Sequence, residues 1–378
     1  MIYLDNSSTT HKKPLKVKLN SLKGLSNLSV NPTRGGYKLA IKGSTEVFKC
    51  REKLASFLGT TPENVIFTSG CTEALNLAIQ GTVKQKGHII TTIYEHNSVL
   101  RVLNNLKKTH NISYTILKPN KNGIINTKDI ENSIKSNTYM VIINHTSNVT
   151  GTTQNVKNIG KVCKKHNLIF LVDGAQSVGH ESINMTEYNI NLLTIAGHKG
   201  LYSPQGIGAL LINSTTVKPI KFGGTGTYSN KIEQPTDYPE GLESGTQNLP
   251  GILGLSAGIE FVLKNQDKIN NKIYKLTKYL ITELNKIKYV KTYGSNPHSG
   301  VVSIKIDNID SSEVSTILSE KYNIYTRSGL HCAPLVHNYF DTTKNGLTRI
   351  SLSYFNKLSE IKKLITAITN IAIEKNSF

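Results

Sequence analysis

From Ser44 to about Ile212, apolar runs of strand length alternate with amphipathic runs of helical length. STEVFKCREKLASFLG has helical spacing, with Ser44 placed to cap its start and Gly59 to stop it. NVIFTSG reads as a short strand and CTEALNLAIQG as a helix ending near Gly81. HIITTI, ISYTIL, YMVIINH, LIFLVD and LLTIAG follow as strands, with helical patterns between most of them. Such alternation predicts an α/β domain with a mainly parallel sheet. Runs such as LIFLV lack polar alternation because a parallel strand is covered on both faces.

After Pro250 the texture changes. GILGLSAGIEFVLKNQDKINNKIYKLTKYLITELNKI is a long helical pattern, expected to break once. Behind it come the strand GVVSIKID, the helix SSEVSTILSEKY, the strands NIYTRSG and LTRISLSY, and the closing helix KLSEIKKLITAITNIAIEK. This order predicts a smaller α+β domain. The sequence carries no internal repeat and no low-complexity linker, so the two domains are expected to pack together.

Composition narrows the function classes. In 378 residues, 38% hydrophobic, no apolar run approaches the roughly 18 needed to span a bilayer. The polar start MIYLDNSSTTHKKP does not read as a signal peptide. Four cysteines, Cys50, Cys71, Cys163 and Cys332, have no paired spacing, so no zinc site or disulfide framework is expected and a reducing cytoplasmic setting fits. The net charge of +20 is spread along the chain without a basic block, which argues against dedicated nucleic-acid binding. Only five of the cations are arginines: Arg34, Arg51, Arg101, Arg327 and Arg349. Where lysine is the default, a retained arginine marks a place that needs a planar, bidentate fork.

In open α/β sheets, ligands bind at the carboxyl ends of the strands. There the sequence sets Gly70, Cys71 and Thr72 at a strand-to-helix turn, a possible anion cradle. His96 follows another strand, a position that structural histidines also occupy. Asp173 and Lys199 end two of the most apolar strands, where each charge needs a partner. They read either as a plain ion pair or as the aspartate and lysine that pyridoxal phosphate requires.

Taken together, the motifs resemble the pyridoxal-phosphate cysteine desulfurases of the class V aminotransferase fold, nearest the branch that includes selenocysteine lyases. YLDNSSTT, FTSGCTEALNLA, YEHNSV, LVDGAQSVGH, GHKGLYSPQGIGALLI, ESGTQN and RSGLHCAPLVH carry the resemblance, in order from residue 3 to residue 337. It implies a fold-type I enzyme whose large cofactor-binding domain spans 15–250, with 1–14 and 251–378 forming a small α+β domain that carries the cysteine loop. It further implies that Lys199 forms a Schiff base with pyridoxal 5'-phosphate and that Asp173 pairs with the pyridine nitrogen. Gln176 would bond the phenolic oxygen, and His96 would stack on the ring and shuttle protons. Thr72, His198 and the amides at Cys71 would hold the phosphate, with Thr246 arriving from the second subunit of a homodimer. Asn148 would lie by ring and substrate, and Arg349 would grip the substrate carboxylate.

Cys332 decides the reaction within that resemblance. Its loop holds Arg327, His331 and His337, and basic neighbours favour the thiolate. A metal reading of His331, Cys332 and His337 lacks a fourth ligand. The implied reaction takes L-cysteine to L-alanine and leaves sulfur on Cys332 as a persulfide for a protein acceptor. The alternatives are a selenocysteine lyase, another enzyme of the same fold, or a catalytically idle scaffold. Two departures stand out. Ala196 replaces a phosphate-binding serine, and Ser7 and Ser8 replace two alanines, a change expected to be harmless.

Overall fold

The computed structural model describes residues 1–32, 35–294 and 296–377. Arg34 lies outside the described residues. A short strand β1 (Ile2–Tyr3) and the helices α1 (Leu15–Leu25) and α2 (Lys38–Leu58) precede the first strand of the main sheet, β2 (Val65–Thr68). Helices and strands then alternate through α3 (Cys71–Gly81), β3 (His88–Thr92), α4 (Asn97–Thr109), β4 (Ser113–Leu117) and α5 (Thr127–Asn132). The series continues with β5 (Thr138–Asn144), α6 (Val156–Lys165), β6 (Ile169–Asp173), β7 (Leu192–Ala196) and β8 (Gly208–Ile212).

These strands form a seven-stranded sheet in the order β2-β8-β7-β6-β5-β3-β4. Strands β3 to β7 run parallel, while β8 is antiparallel to both of its neighbours. Alternate residues of one strand serve two cores, as a pleat of period two requires. Val141 and Ile143 of β5 enter one cluster, whereas Met140 and Ile142 enter the other. That explains the unbroken apolar runs.

Two expectations from sequence are corrected. Helix α2 starts at Lys38, not at Ser44, whose hydroxyl donates back to the carbonyl of Ala40 at 3.2 Å. A serine inside a helix can bond the preceding turn in this way and need not mark a start. Gly59 does stop the helix, in the left-handed conformation at φ 80. The helix expected to break once is continuous over 36 residues, α7 (Leu249–Leu284). Its polar middle, KNQDKINNK, still places Ile269 and Ile273 on the buried stripe.

The rest of the chain forms β9 (Val290–Tyr293), β10 (Val301–Ile306), α8 (Ser311–Tyr322), β11 (Ile324–Tyr325), α9 (Pro334–Tyr339), β12 (Thr348–Ser351) and α10 (Leu358–Asn376). Strands β12, β10 and β9 make an antiparallel sheet, and β11 pairs in parallel with β1. Ile2 and Leu4 accordingly join a third core cluster with side chains from Leu276 to Ala372. Among the described residues, no helix is long and apolar enough to cross a membrane.

Candidate active site

Strands β5, β6 and β7 end at Asn144, Asp173 and Ala196, beside a cavity of about 280 Å³. Its wall includes Cys71, Thr72, His96, Asn148, Asp173, Gln176, His198 and Lys199. The turn from β2 into α3 forms one end. There α3 begins at Cys71 with Gly70 as N-cap and no side-chain cap, which leaves first-turn N–H groups for a ligand. A Cβ on Gly208 would lie 2.8 Å from Gly70 Cα, so a bare glycine in β8 lets this turn sit close.

Asp173 is buried and held from three directions. Oδ1 accepts from Ala175 N at 3.0 Å and from Cys71 Sγ at 3.4 Å, and Oδ2 accepts from Asn144 Nδ2 at 3.3 Å. Burial, followed by the charge of Asp173, raises the Cys71 thiol pKa well above its usual value. That thiol therefore stays protonated. Behind Asn144, the buried Glu95 accepts from the amide of Asn144 at 3.0 Å and from Thr92 Oγ1 at 2.8 Å. Burial pushes its carboxyl up to about 8, so it is mainly neutral at pH 7.

Lys199 is half-buried on the turn after β7. Burial lowers its pKa, while Cys71 and Asp173 pull it upward. A desolvated amine of this kind is the form that attacks a carbonyl. The chain's start clamps the turn: Thr10 Oγ1 donates to the Lys199 carbonyl at 2.7 Å and Lys13 Nζ to that of His198 at 3.0 Å. Gln176 Nε2 donates to the carbonyl of Ser7 at 3.0 Å. His96 caps α4, its Nδ1 accepting from Ser98 N at 3.1 Å, so the neutral ring carries its proton on Nε2. Burial lowers its pKa against the opposing pull of Asp173, and burial holds His198 at about 4.

Cys332 lines an adjoining cavity of about 500 Å³ that shares Thr72, His96 and Ser98. His331 and Cys332 both adopt left-handed conformations, at φ 51 and 58, which non-glycine residues seldom do. Two anchors hold them there. Asn97 N donates to the Cys332 carbonyl at 2.7 Å, and Asn148 Nδ2 donates to that of His331 at 2.7 Å. Arg327 Nη2 lies 3.7 Å from Cys332 Sγ.

Arg349 stands behind the wall, only 1% exposed. Its Nη2 donates to Asp5 Oδ1 at 2.8 Å and its Nη1 to the Asn148 carbonyl at 3.1 Å. Nε has no partner among the described residues. Thr246 is exposed and does not line the cavity. Sequence reading missed Asp5, Ser8, Glu95 and the Asn144 side chain. For Asn144 the available signal was a polar residue at the end of an apolar strand, and for Glu95 an acid in the turn that follows one.

Residues 2–364 match the family model described as Aminotransferase class-V. The chain belongs to the class-V aminotransferase family. Among its relatives in that family, a probable cysteine desulfurase of Methanothermobacter thermautotrophicus is 30% identical, over 98% of this chain and 94% of its own. One from Borreliella burgdorferi is 31% identical, over 99% and 92%. The apo structure of a cysteine desulfurase from Thermococcus onnurineus NA1 covers 99% of this chain and 95% of its own, with a TM-score of 0.90 at 30% identity. In this class-V chain the buried Asn148 Oδ1, Asn144 Oδ1 and His198 Nδ1 have no partner among the described residues. With the open helix start, they fit a ligand that is anionic at one end and polar at its rim.

Proposed function

We propose that the protein is a pyridoxal-phosphate-dependent cysteine desulfurase, which converts L-cysteine to L-alanine and takes the sulfur onto Cys332 as a persulfide. The observation that carries this reading is Lys199 and Asp173 on one cavity, with Cys332 on the cavity that adjoins it. The donor set fits the cofactor: the amides at Cys71, with Thr72 and His198, would hold its phosphate. Asp173 would face the pyridine nitrogen, Gln176 the phenolic oxygen and His96 the ring. When bound, the group supplies an electron sink for charge left on the substrate's α-carbon.

The chain's own residues do the rest. Arg349 would orient the substrate carboxylate with Asn148 close to ring and substrate, and the Lys199 amine removes the α-proton. The Cys332 thiolate forms the new S–S bond as the substrate's C–S bond breaks, with the electron pair staying on carbon. One proton then completes the methyl group and another returns to the α-carbon, giving alanine. Ala196 gives this wall no hydroxyl, and the nearby Ser98 hydroxyl is engaged with Thr72 Oγ1 at 2.8 Å.

In this reading residues 15–250 are the cofactor domain, and 1–14 with 251–378 are the smaller one. The pairing of β1 with β11 supports that division. A homodimer is part of the proposal, with Thr246 of one subunit completing the phosphate site of the other. Leu15, Leu19, Leu22 and Leu25, all more than half exposed on α1, form an apolar stripe that supports a subunit contact. A cytoplasmic setting and a protein sulfur acceptor complete the reading. The test is product analysis of the cofactor-loaded protein with L-cysteine, L-selenocysteine and cysteine sulfinate under reducing conditions. Alanine from L-cysteine, with persulfide mapped to Cys332, is the expected result. Alanine from selenocysteine alone would make the protein a selenocysteine lyase.

A further inference from the structure

A serine hydroxyl has one proton to donate and two lone pairs to receive protons. At Ser8 all three are used. Oγ donates to Asp5 Oδ1 at 2.8 Å, and accepts from Arg327 Nη1 at 3.0 Å and from Arg349 Nη2 at 2.9 Å. The two arginines are backbone partners, with Arg349 N bonded to the Arg327 carbonyl at 2.7 Å and Arg327 N to that of Arg349 at 3.2 Å. That pairing brings two like charges side by side. Burial lowers the Arg349 pKa, Asp5 raises it, and the charge of Arg327 lowers it. Ser8 Oγ sits between the guanidiniums and accepts from both.

We propose that Ser8 is a positioning residue that sets Arg349 and Arg327 with one hydroxyl, so the grip on the substrate carboxylate and the cation beside the Cys332 thiol are fixed together. This rests on the roles of Arg349 and Cys332 in the function proposed above. In this proposal Ser8 is more than a harmless replacement. Without the hydroxyl, each guanidinium loses an acceptor and Asp5 loses a donor. Arg327 is only half-buried and can turn toward water, away from Cys332 Sγ.

Ser8→Ala and Ser8→Thr in the full chain test the idea with two readouts. The first uses protein without cofactor and follows iodoacetamide alkylation of Cys332 by peptide mass. Alkylation should slow about tenfold in Ser8→Ala, because Arg327 is then free to turn away from the thiol whose anion it faces at 3.7 Å. The second is the KM for L-cysteine, which should rise by a similar factor with kcat changed less. Ser8→Thr keeps a hydroxyl and should restore both to within about threefold. A role in packing alone would lower the unfolding temperature without moving these two readouts together. Should Ser8→Ala fail to fold, Ser8→Cys keeps the volume with a weaker donor and acceptor, and should slow alkylation in the same direction. Cys332 alkylation within twofold of wild type in the folded variant, or slowing that Ser8→Thr does not reverse, overturns the proposal. If the wild type makes no alanine from cysteine, the functional reading fails while the alkylation result still decides the role of Ser8.

Discussion

The cavity has two walls built on different principles. On one side Asp173 and Lys199 hang from the ends of β6 and β7, inside a seven-stranded sheet whose ladders fix their spacing. On the other, Cys332, Arg327 and Arg349 depend on side-chain bonds to the chain's first residues and to Asn148. The sheet wall is positioned by backbone and carries opposed charges. The loop wall adds long-range side-chain bonds to the backbone pairing of Arg327 with Arg349 and gathers two cations around a thiol. If the proposed chemistry holds, proton transfer at carbon belongs to the first wall and sulfur transfer to the second. Damage to one should then leave the other readable.

The largest effect should come from the sheet wall. Lys199→Ala should lose the visible absorption of bound cofactor and cut turnover about 10³-fold or more, the scale of a lost positioned proton transfer. Absorption spectra and alanine assays check it, and an unchanged chromophore would remove Lys199 from the mechanism. Next comes the loop wall. Cys332→Ala should bind cofactor normally and still show a spectral response to L-cysteine, yet yield only traces of alanine and no persulfide. Turnover of selenocysteine should survive better, because the carbon–selenium bond is weaker. Full cysteine turnover by this variant would merge the two walls into one general β-lyase site.

The same contrast explains what was legible in the sequence. Apolar runs announced β2 to β7, and those buried on both faces, such as β5 and β6, can hardly be written otherwise. Charged residues at the ends of such runs, Asp173 and Lys199, stood out for the same reason. Helix α7 was misread as broken because local polarity around Lys264–Lys272 outweighed the sparse stripe of Ile269 and Ile273. The loop wall left less trace. Ser8 meets Arg327 and Arg349 across 319 and 341 positions of sequence, and no periodicity encodes a contact of that kind. Apart from the family resemblance, the rarity of arginine was the one hint at Arg349.

A smaller effect is expected at Arg349. Arg349→Lys keeps the charge but loses the fork that reaches Asp5 and the Asn148 carbonyl together. Substrate binding should weaken by about 1.5–3 kcal/mol, seen as a higher KM for L-cysteine with the cofactor spectrum intact. An unchanged KM would exclude Arg349 as the carboxylate grip and leave it as a support for the loop wall.

The smallest effect compares the walls by pH. His331 on the loop and His198 on the sheet side are both kept neutral by burial, at about 2 and about 4 against an ordinary 6.5. His331 Nε2 lies 3.2 Å from the Arg327 carbonyl, so it carries the proton and donates, while the buried Nδ1 has no partner among the described residues. Both folded pKa values are depressed, so the unfolded chain binds protons that the folded chain refuses. Stability is therefore present above about 6.5 and is lost as pH falls, down to about 4 for His198 and about 2 for His331. Each such histidine contributes a slope of about 1.4 kcal/mol per pH unit inside its window. Urea unfolding at pH 7, 6 and 5 should show the wild type weakening on acidification. His331→Asn suits the left-handed backbone there and should remove about one proton's worth of that slope, whatever it does to stability at pH 7. A slope identical to wild type would mean that His331 takes up a proton in the folded protein. The loop wall would then carry a third positive charge beside Arg327 and Arg349, and its hold on Cys332 would have to be rethought from that charge.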